Sequence, residues 1–441
     1  MHSFSGYQNF SVCNGLAQRG FTTLCADSIW TGRQDQFYGF EQHAPGIRAG
    51  INYLRSLPAD PATGLPAISK VILWGHSAGS AMMSFYQNVA ENGARTACQG
   101  REKILPCVDT NLRNLPKADG LMLFDPQEGP DVWFFNVDPA VINNSCTVRD
   151  PRVDMFLPEN GLTSNESGTY SKQFLKRFFK EQAERNHDLL EVAQDLLRAK
   201  RLVTGNPDEM GDDIPFTIVG TTDARPWNYD LNLRHITKKP HILLSRDGTN
   251  KFQTVETVRV PNGDAESGLD CAASTVTVNV HIWLGAKALR TTDQDNDGKD
   301  HKKGKNDRNK HNEVYNQTEN DILGIDWDSS ATNPYTNLKG VGKHPNGNQK
   351  TTPLLIISNG AYYFIVPGEI YYDVAHSKDK TYAISEGAVH AGTPCADCTR
   401  VILNNPNLPT AEANAYWTDP QGNGPLERSF NFMAEWLSAR Y

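Results

Sequence analysis

The pentapeptide Gly-His-Ser-Ala-Gly at residues 75–79 is the feature that most limits what this chain can fold into. Such a G-x-S-x-G run would arise by chance on the order of 0.2 times in a chain of this composition, so its flanks decide its meaning. The apolar run at 71–74 predicts a buried strand, and the small residues from Ala78 onward predict a helix. A strand, a tight turn and a helix in this order put Ser77 in a strained conformation that only flanking glycines permit. The pattern predicts a nucleophilic hydroxyl at the start of a helix.

A serine hydroxyl is a weak nucleophile at neutral pH, so a histidine must take its proton and an acid should orient that histidine. Of the twelve histidines, His390 is the predicted base. It lies just past a predicted strand near the C-terminus, which gives the chain order serine first and histidine last. His76, beside the serine, is interpreted as a packing residue, and His43, His187 and His235 as ordinary surface or helix residues.

Strand and helix signals alternate up to about residue 125 and again from residue 353, which predicts an α/β fold with a mostly parallel sheet flanked by helices. The predicted strands of these two parts are 21–26, 70–74, 118–124, 354–357 and 381–385. Their predicted helices are 45–57, 79–92, 369–376 and 425–441. We therefore predict one core formed by residues 1–125 and 351–441, interrupted by an insertion at 126–350.

The insertion is predicted to be a large mixed α+β unit that forms a cap over the site. Apolar residues at helical spacing predict a helix over 170–201, and alternating valines predict that 255–260 and 276–284 pair as strands across a turn. Four aromatic residues of the insertion are candidates for the lining of an apolar pocket, although packing in its own core is the alternative: Trp133, Phe134, Phe135 and Trp227.

A charged stretch at 291–313 is predicted to be a solvated loop. Within it Asp293, Asp295 and Asp297 match the first half of an EF-hand-type loop and are candidate calcium ligands. The last ligand position of such a loop should be a glutamate but is Gly304, so a loop without an ion is the alternative. No cofactor is expected to be required, and calcium would be structural.

On these motifs the sequence resembles the α/β-hydrolase family over about residues 1–125 and 351–441. The resemblance implies a serine enzyme that cleaves an ester or amide. The stretch at 2–6 looks like the family's His-Gly turn after its third strand, with Ser3 in place of the usual glycine, so the N–H groups of Phe4 and Ala78 are the expected oxyanion donors. Three strands precede this turn in the family, so the chain is expected to be N-terminally truncated, with its first strands missing.

The resemblance also guides the choice of acid. Many family members carry it after the strand that here spans 354–357, where this chain has no carboxylate. Chlorophyllase-like and platelet-activating-factor acetylhydrolase-like branches carry it one strand earlier, and the end of the strand 118–124 resembles that position. Asp125 is therefore the predicted acid, with Glu128, Glu369 and Glu386 as alternatives. The alternative for Asp125 is a purely structural role, as a turn or helix-cap aspartate before a proline.

Composition limits the partners and the compartment. A formal net charge of -8 argues against nucleic acid. No apolar run reaches the roughly 18 residues of a spanning helix, which predicts a soluble chain without a transmembrane segment. The eight cysteines include the close pairs Cys98 with Cys107 and Cys395 with Cys398, which favours disulfides and an oxidising compartment over free buried thiols.

Together these features predict a secreted serine hydrolase that cleaves a carboxylic ester, or an amide, of a bulky and partly apolar small molecule through an acyl-enzyme. An amidase or acyltransferase on the same fold is one alternative. A catalytically crippled hydrolase-fold binding protein is another, motivated by the absent acid after the late strand and the missing early strands. The sequence does not set the oligomeric state.

Overall fold

The computed structural model describes residues 6–28, 39–59, 61–127, 130–222, 224–291, 324–343 and 351–441. Within these ranges a six-stranded, mostly parallel sheet lies between two layers of helices. The predicted mixed α/β architecture is confirmed at this level.

The elements of the described residues follow the chain in this order. The strands are β1 Ile72–His76, β2 Gly120–Phe124, β3 Pro215–Val219, β4 His241–Leu244, β5 Asn250–Gln253, β6 Thr275–Asn279, β7 Arg290–Thr291, β8 Ile325–Asp326, β9 Leu354–Asn359 and β10 Lys380–Ser385. The helices are α1 Ser11–Ala17, α2 Phe40–Ser56, α3 Ala78–Asn92, α4 Ala94–Ala97, α5 Pro130–Asn136, α6 Lys172–Thr204, α7 Pro226–Tyr229, α8 Ala265–Leu269, α9 Val280–Ile282, α10 Pro334–Gly340, α11 Ile365–Val374, α12 Ala396–Ile402, α13 Thr410–Ala415 and α14 Pro425–Ser438.

The central sheet has the strand order β1-β2-β9-β10-β4-β5, and only the β4–β5 pair is antiparallel. Its register pairs His76 with Phe124, Phe124 with Ile357, and Asn359 with Ser385. The carboxyl ends of β1, β2, β9 and β10 therefore meet at one edge. Loops that follow parallel strands at this edge lie close together, which is where ligands bind in such sheets.

Apolar packing covers both faces of the sheet. In β2, Leu121 and Leu123 belong to the cluster formed with α2 and α3, whereas Met122 and Phe124 belong to the cluster formed with α1 and α14. Strands buried on both faces need nearly continuous apolar sequence, which is the pattern that predicted β2 and β9.

The interval 126–350 contributes to the central sheet as well as forming elements of its own. The hairpin of β4 and β5 extends the sheet beyond β10. The long helix α6 packs on the separate β3–β6 pair through Leu189, Leu197 and Phe216. Its start is fixed by Ser171, whose side chain accepts a hydrogen bond from the main-chain N–H of Phe174.

Residues 21–26 do not form the predicted strand. The segment is extended, but among the described residues no strand pairs with it. It is held instead to α1, by the Cys13–Cys25 disulfide and by a hydrogen bond from the N–H of Phe21 to the carbonyl of Leu16. Its β-forming residues predicted an extended backbone correctly, but strand pairing also requires a neighbour.

The predicted pairing of 255–260 with 276–284 is also wrong. The strand β6 pairs antiparallel with β3, in which buried Phe216 and Ile218 alternate with exposed residues. At Asn279 the chain turns into α9, because the Asn279 side chain accepts a hydrogen bond from the N–H of Ile282 and so caps a helix. The segment 255–260 makes irregular contacts, including the bond from Val258 N–H to the Gly360 carbonyl.

Four disulfides join all eight cysteines, and the two pairs predicted from sequence are among them. The bonds are Cys13–Cys25, Cys98–Cys107, Cys146–Cys271 and Cys395–Cys398. Several disulfides are consistent with an extracellular protein, because thiols stay reduced in the cytosol. Of the helices in the described part of the chain, none combines the length and the apolar composition needed to cross a bilayer.

A buried histidine links α2 to the 126–350 interval. His281 contacts Asp212 through Nδ1 at 2.7 Å and Glu41 through Nε2 at 3.0 Å. Burial alone would lower the pKa of His281, but the hydrogen bonds to the two carboxylates outweigh it and raise the pKa to about 10. The positively charged imidazolium therefore holds α2 to the 126–350 interval through its ion pairs with Glu41 and Asp212.

We expect the free energy of unfolding to fall by about 2–4 kcal/mol as the pH rises from the ordinary histidine value through the raised pKa of His281. The folded state binds this proton more tightly than the unfolded state, so its contribution is complete below pH 6.5 and is lost as the pH passes about 10. Urea denaturation between pH 6 and 10 measures the slope. His281→Gln should flatten the slope of unfolding free energy against pH. The control His187→Gln, on the partly exposed surface of α6, should leave the slope unchanged. Equal slopes in the unaltered protein and both variants contradict the assignment.

Candidate active site

Ser77 lies at the sharp turn between β1 and α3. Its φ and ψ are 53° and -129°, a region that non-glycine residues rarely occupy. Gly75 permits the turn, since a Cβ there would lie 2.5 Å from the carbonyl oxygen of Gly79. The strand, turn and helix predicted around the pentapeptide are thus present, and the strain is of the kind found at functional sites.

Asp125 lies beside this turn because β2 runs parallel to β1. The N–H of Ser77 donates to the carbonyl of Phe124 at 3.2 Å, so the residue after each strand emerges at the same point. Asp125 also has a positive φ, 42°, and its side chain is fully buried. A buried aspartate in a strained conformation needs specific partners.

Both carboxylate oxygens of Asp125 have such partners. Oδ2 lies 2.5 Å from Nδ1 of His390, and Oδ1 accepts a hydrogen bond from the main-chain N–H of Asn359 at 2.9 Å. Burial raises the pKa of Asp125, and the bonds from His390 and Asn359 oppose that rise. Because Nδ1 of His390 donates its hydrogen bond to this carboxylate, Nε2 is left as the ring atom that can accept a proton from a neighbouring group.

Aromatic rings fix the plane of the His390 imidazole. Tyr362 stacks on it with centroids 5.0 Å apart, and Phe364 contacts it edge-on at 5.2 Å. The side chain of His390 remains 32% exposed, so the ring is held but accessible. Tyr362 lies after β9, where the resemblance implies an acid in many family members, and it packs against the imidazole.

His76 does more than the packing predicted for it. Its Nε2 lies 2.8 Å from the main-chain carbonyl of His390, which also accepts a bond from Nδ2 of Asn359 at 2.9 Å. A carbonyl can only accept, so Nε2 of His76 carries the proton and Nδ1 accepts from the hydroxyl of Tyr7. Burial raises the pKa of Tyr7 well above its usual range, which keeps the phenol protonated as a donor. Adjacency to Ser77 was the one sequence signal for this role.

A serine triad would also require a hydrogen bond between Ser77 and His390. Among the hydrogen bonds of the described residues, none joins the hydroxyl of Ser77 to the imidazole of His390. The imidazole of His76, the residue before Ser77, does contact that of His390, with ring centroids 4.6 Å apart. Catalytic hydrogen bonds are often long before substrate binds.

Of the two predicted oxyanion donors, Ala78 and Phe4, the structure describes only Ala78. Ala78 is the first residue of α3, and the N–H groups of a first helical turn have no acceptor within the helix. Its N–H is therefore placed to bind an anion beside Ser77. Phe4 lies outside the described residues.

The alternative acids occupy other sites. Glu369 bonds to His241, the first residue of β4, at 2.9 Å, and so lies near the opposite edge of the sheet from Asp125. Burial alone would raise the pKa of Glu369, but the bonds from His241 and from two main-chain N–H groups lower it. Glu386 accepts bonds from the hydroxyl of Ser245 and the N–H of Arg246. Glu128 lies outside the described residues.

The remaining predicted positions do not add to this site. The candidate calcium ligands Asp293, Asp295 and Asp297 lie outside the described residues. Phe134, Phe135 and Trp227 have no exposed surface and pack in the core, which is the alternative considered for them. Trp133 lines a cavity of about 490 Å³ together with Arg225 and Asn228.

Comparisons with known proteins identify no relative, so the interpretation of the site depends on its geometry alone. No protein-family model matches the chain, and no match is found among curated proteins or among solved structures.

We expect Asn359→Leu to make the His390 ring more reactive, because it removes one of the two side-chain donors to the His390 carbonyl. Modification of His390 by diethyl pyrocarbonate, followed by peptide mass spectrometry, should be several-fold faster than in the unaltered protein, with a loss of about 1–2 kcal/mol in unfolding free energy. The matched control is Asn92→Leu, which removes an asparagine donor to the Gly340 carbonyl far along α3. If both variants lose stability and neither changes the modification rate, Asn359 does not anchor the histidine.

Proposed function

We propose that the protein is a serine hydrolase that cleaves a carboxylic ester through an acyl-enzyme. The single observation that supports this most is the hydrogen bond between Asp125 and His390 at the strand edge where strained Ser77 emerges. A buried carboxylate bonded to a partly exposed imidazole, at the edge where a strained serine emerges, supports this proposal, because such an imidazole can take the proton of the hydroxyl once the two groups come within hydrogen-bonding distance.

In the proposed mechanism the Ser77 Oγ forms a bond to the ester carbonyl carbon while its proton moves to Nε2 of His390. Asp125 holds the Nδ1 proton and stabilises the imidazolium that forms. The N–H of Ala78 stabilises the developing oxyanion, with Phe4 as the proposed second donor. His390 then returns the proton to the leaving alcohol, and water attacks the acyl-enzyme by the reverse sequence.

The proposed fold family is the α/β-hydrolase superfamily. It is supported by the parallel sheet, the strand-turn-helix at Ser77, the chain order of Ser77, Asp125 and His390, and helices on both faces. The elements of 126–350 outside the β4–β5 hairpin would then form the cap. Four disulfides support secretion as the proposed location.

A binding protein without catalytic activity is the second candidate, and the missing hydrogen bond between Ser77 and His390 is the observation that favours it. An amidase or acyltransferase would use the same residues and differ in the group that receives the acyl chain. A series of acyl esters of graded chain length, tested beside matched amides, separates these possibilities by which substrates turn over.

We expect a fluorophosphonate probe to label the protein at Ser77, because an activated serine attacks phosphorus as it attacks an ester carbonyl. Ser77→Ala should abolish labelling. Ser84→Ala, which removes another hydroxyl of α3, should leave labelling unchanged. A folded, unaltered protein that takes up no label favours the binding protein instead.

We expect Asp125→Asn to lower kcat by about 10²–10⁴-fold on an activated ester, because the amide cannot hold the required histidine tautomer. Circular dichroism should show the same fold. Glu369→Gln and Glu386→Gln should keep nearly full turnover, since each bonds to residues away from His390. Loss of turnover in either glutamine variant, with Asp125→Asn active, would reassign the acid.

A further inference from the structure

His390 lies in the loop of residues 387–395, here named the His390 loop, between β10 and α12. At the base of this loop the N–H of Cys395 donates to the carbonyl of Gly387 at 2.9 Å. An isolated β-bridge further in supports the closure. The loop is a closed turn, so the position of the imidazole depends on how its base is held.

The indole of Trp417 contacts both residues of this base. Its Nε1 donates a hydrogen bond to the carbonyl of Cys395 at 2.9 Å. The ring also lies against Gly387, where an added Cβ would overlap the ring atoms. Gly387 has a φ of 72°, a conformation that glycine adopts without strain. One buried ring therefore holds both ends of the His390 loop.

Trp417 is itself fixed to the central sheet through Arg428, a buried residue of α14. Nη1 of Arg428 donates to the carbonyl of Trp417 at 2.6 Å, and Nη2 donates to the carbonyl of Glu386 at 2.9 Å. Glu386 directly follows β10, and a guanidinium holds its donors in a rigid plane. The backbone of Trp417 is therefore tied by one side chain to the end of the strand.

The packing partners of Trp417 belong mostly to the His390 loop or to segments that contact it. The ring lies outside the large apolar clusters, in a small one with Ala361 and the disulfide-bonded Cys395 and Cys398. Val389, which precedes the histidine, packs against this cluster, and the N–H of Ala361 donates to the main chain of the loop at 2.8 Å. A ring whose contacts concentrate on one loop contributes to the placement of that loop more than to the main core.

We propose that Trp417 is a positioning residue for His390: its indole holds the base of the His390 loop so that the imidazole stays within bonding distance of Asp125. The bonds from His76 and Asn359 act at the tip of the loop, on the carbonyl of the histidine, whereas the indole acts at the base. The inference rests on the proposed function, in which this imidazole receives the proton of the nucleophile. A displacement of about 1 Å can lower a rate by about 10²-fold, so a constraint at the base affects the chemistry.

The direct test replaces Trp417 with benzothienylalanine, an amino acid whose ring has nearly the shape of indole but carries no N–H. The measured quantity is the exchange with water of the Nδ1 proton that His390 donates to Asp125. Nuclear magnetic resonance of the full chain with isotopically labelled histidine follows this proton. We expect exchange to be about ten-fold faster than in the unaltered protein, because the loop base loses one hydrogen bond.

The matched control is the same replacement at Trp436, a buried indole of α14 that donates to the Thr381 hydroxyl at 3.3 Å. It should leave the exchange rate unchanged. Unchanged exchange in the Trp417 protein, or equal acceleration in both proteins, overturns the proposal. Trp417→Phe and Trp436→Phe repeat the comparison with ordinary residues, and equal exchange in these two variants has the same consequence.

Fluorophosphonate labelling gives a second readout, which depends on the proposed function. The replacement at Trp417 should slow labelling of Ser77 about ten-fold, and the replacement at Trp436 should not slow it. Labelling at the unaltered rate in the Trp417 protein overturns the proposal. If the unaltered protein takes up no label, the proposed function fails, and proton exchange at His390 still decides the role of Trp417.

Discussion

The parallel register of the central sheet is the constraint on which the site depends. It aligns the carboxyl ends of β1, β2 and β9, so that Ser77, Asp125 and Asn359 emerge together although they lie far apart in the chain. The Asp125–His390 hydrogen bond then connects this edge to the loop after β10. A register shift of one residue would turn these side chains to the other face and separate them. The site is therefore a property of the sheet, and α3 and the aromatic residues near His390 adjust it locally.

Much of the site was predictable because its signals are local. The pentapeptide at 75–79 and its flanks predicted the turn at Ser77, whereas Asp125, at the end of an apolar run, was singled out by the resemblance to branches of a known family. His390 followed from chain order after the last parallel strand. The contact between Asp125 and His390 needed one further assumption, that strands which are separate in sequence pair in a particular order. The resemblance to a known family supplied that assumption, since periodicity alone does not give strand order. The catalytic roles remain proposals.

The features that the sequence does not predict are those that depend on contacts with segments distant in the chain. The segment 21–26 has strand-forming residues, but no described strand lies beside it. The valines at 255–260 alternate like a strand, yet β6 pairs with β3, in which buried and exposed residues alternate as well. His76 shows the same limit at the level of one side chain. Its bond to the His390 carbonyl joins residues more than 300 positions apart, and nothing within its local sequence distinguishes an anchoring histidine from a packing one.

The most direct measurement of the central claim is a crystal structure of the full chain after reaction with a phosphonate ester. We expect phosphorus bonded to Oγ of Ser77, its oxygen about 2.7–3.1 Å from the N–H of Ala78, and Nε2 of His390 within hydrogen-bonding distance of the adduct. An adduct on another residue, or one at Ser77 with the His390 ring turned away and still bonded only to Asp125, would contradict it.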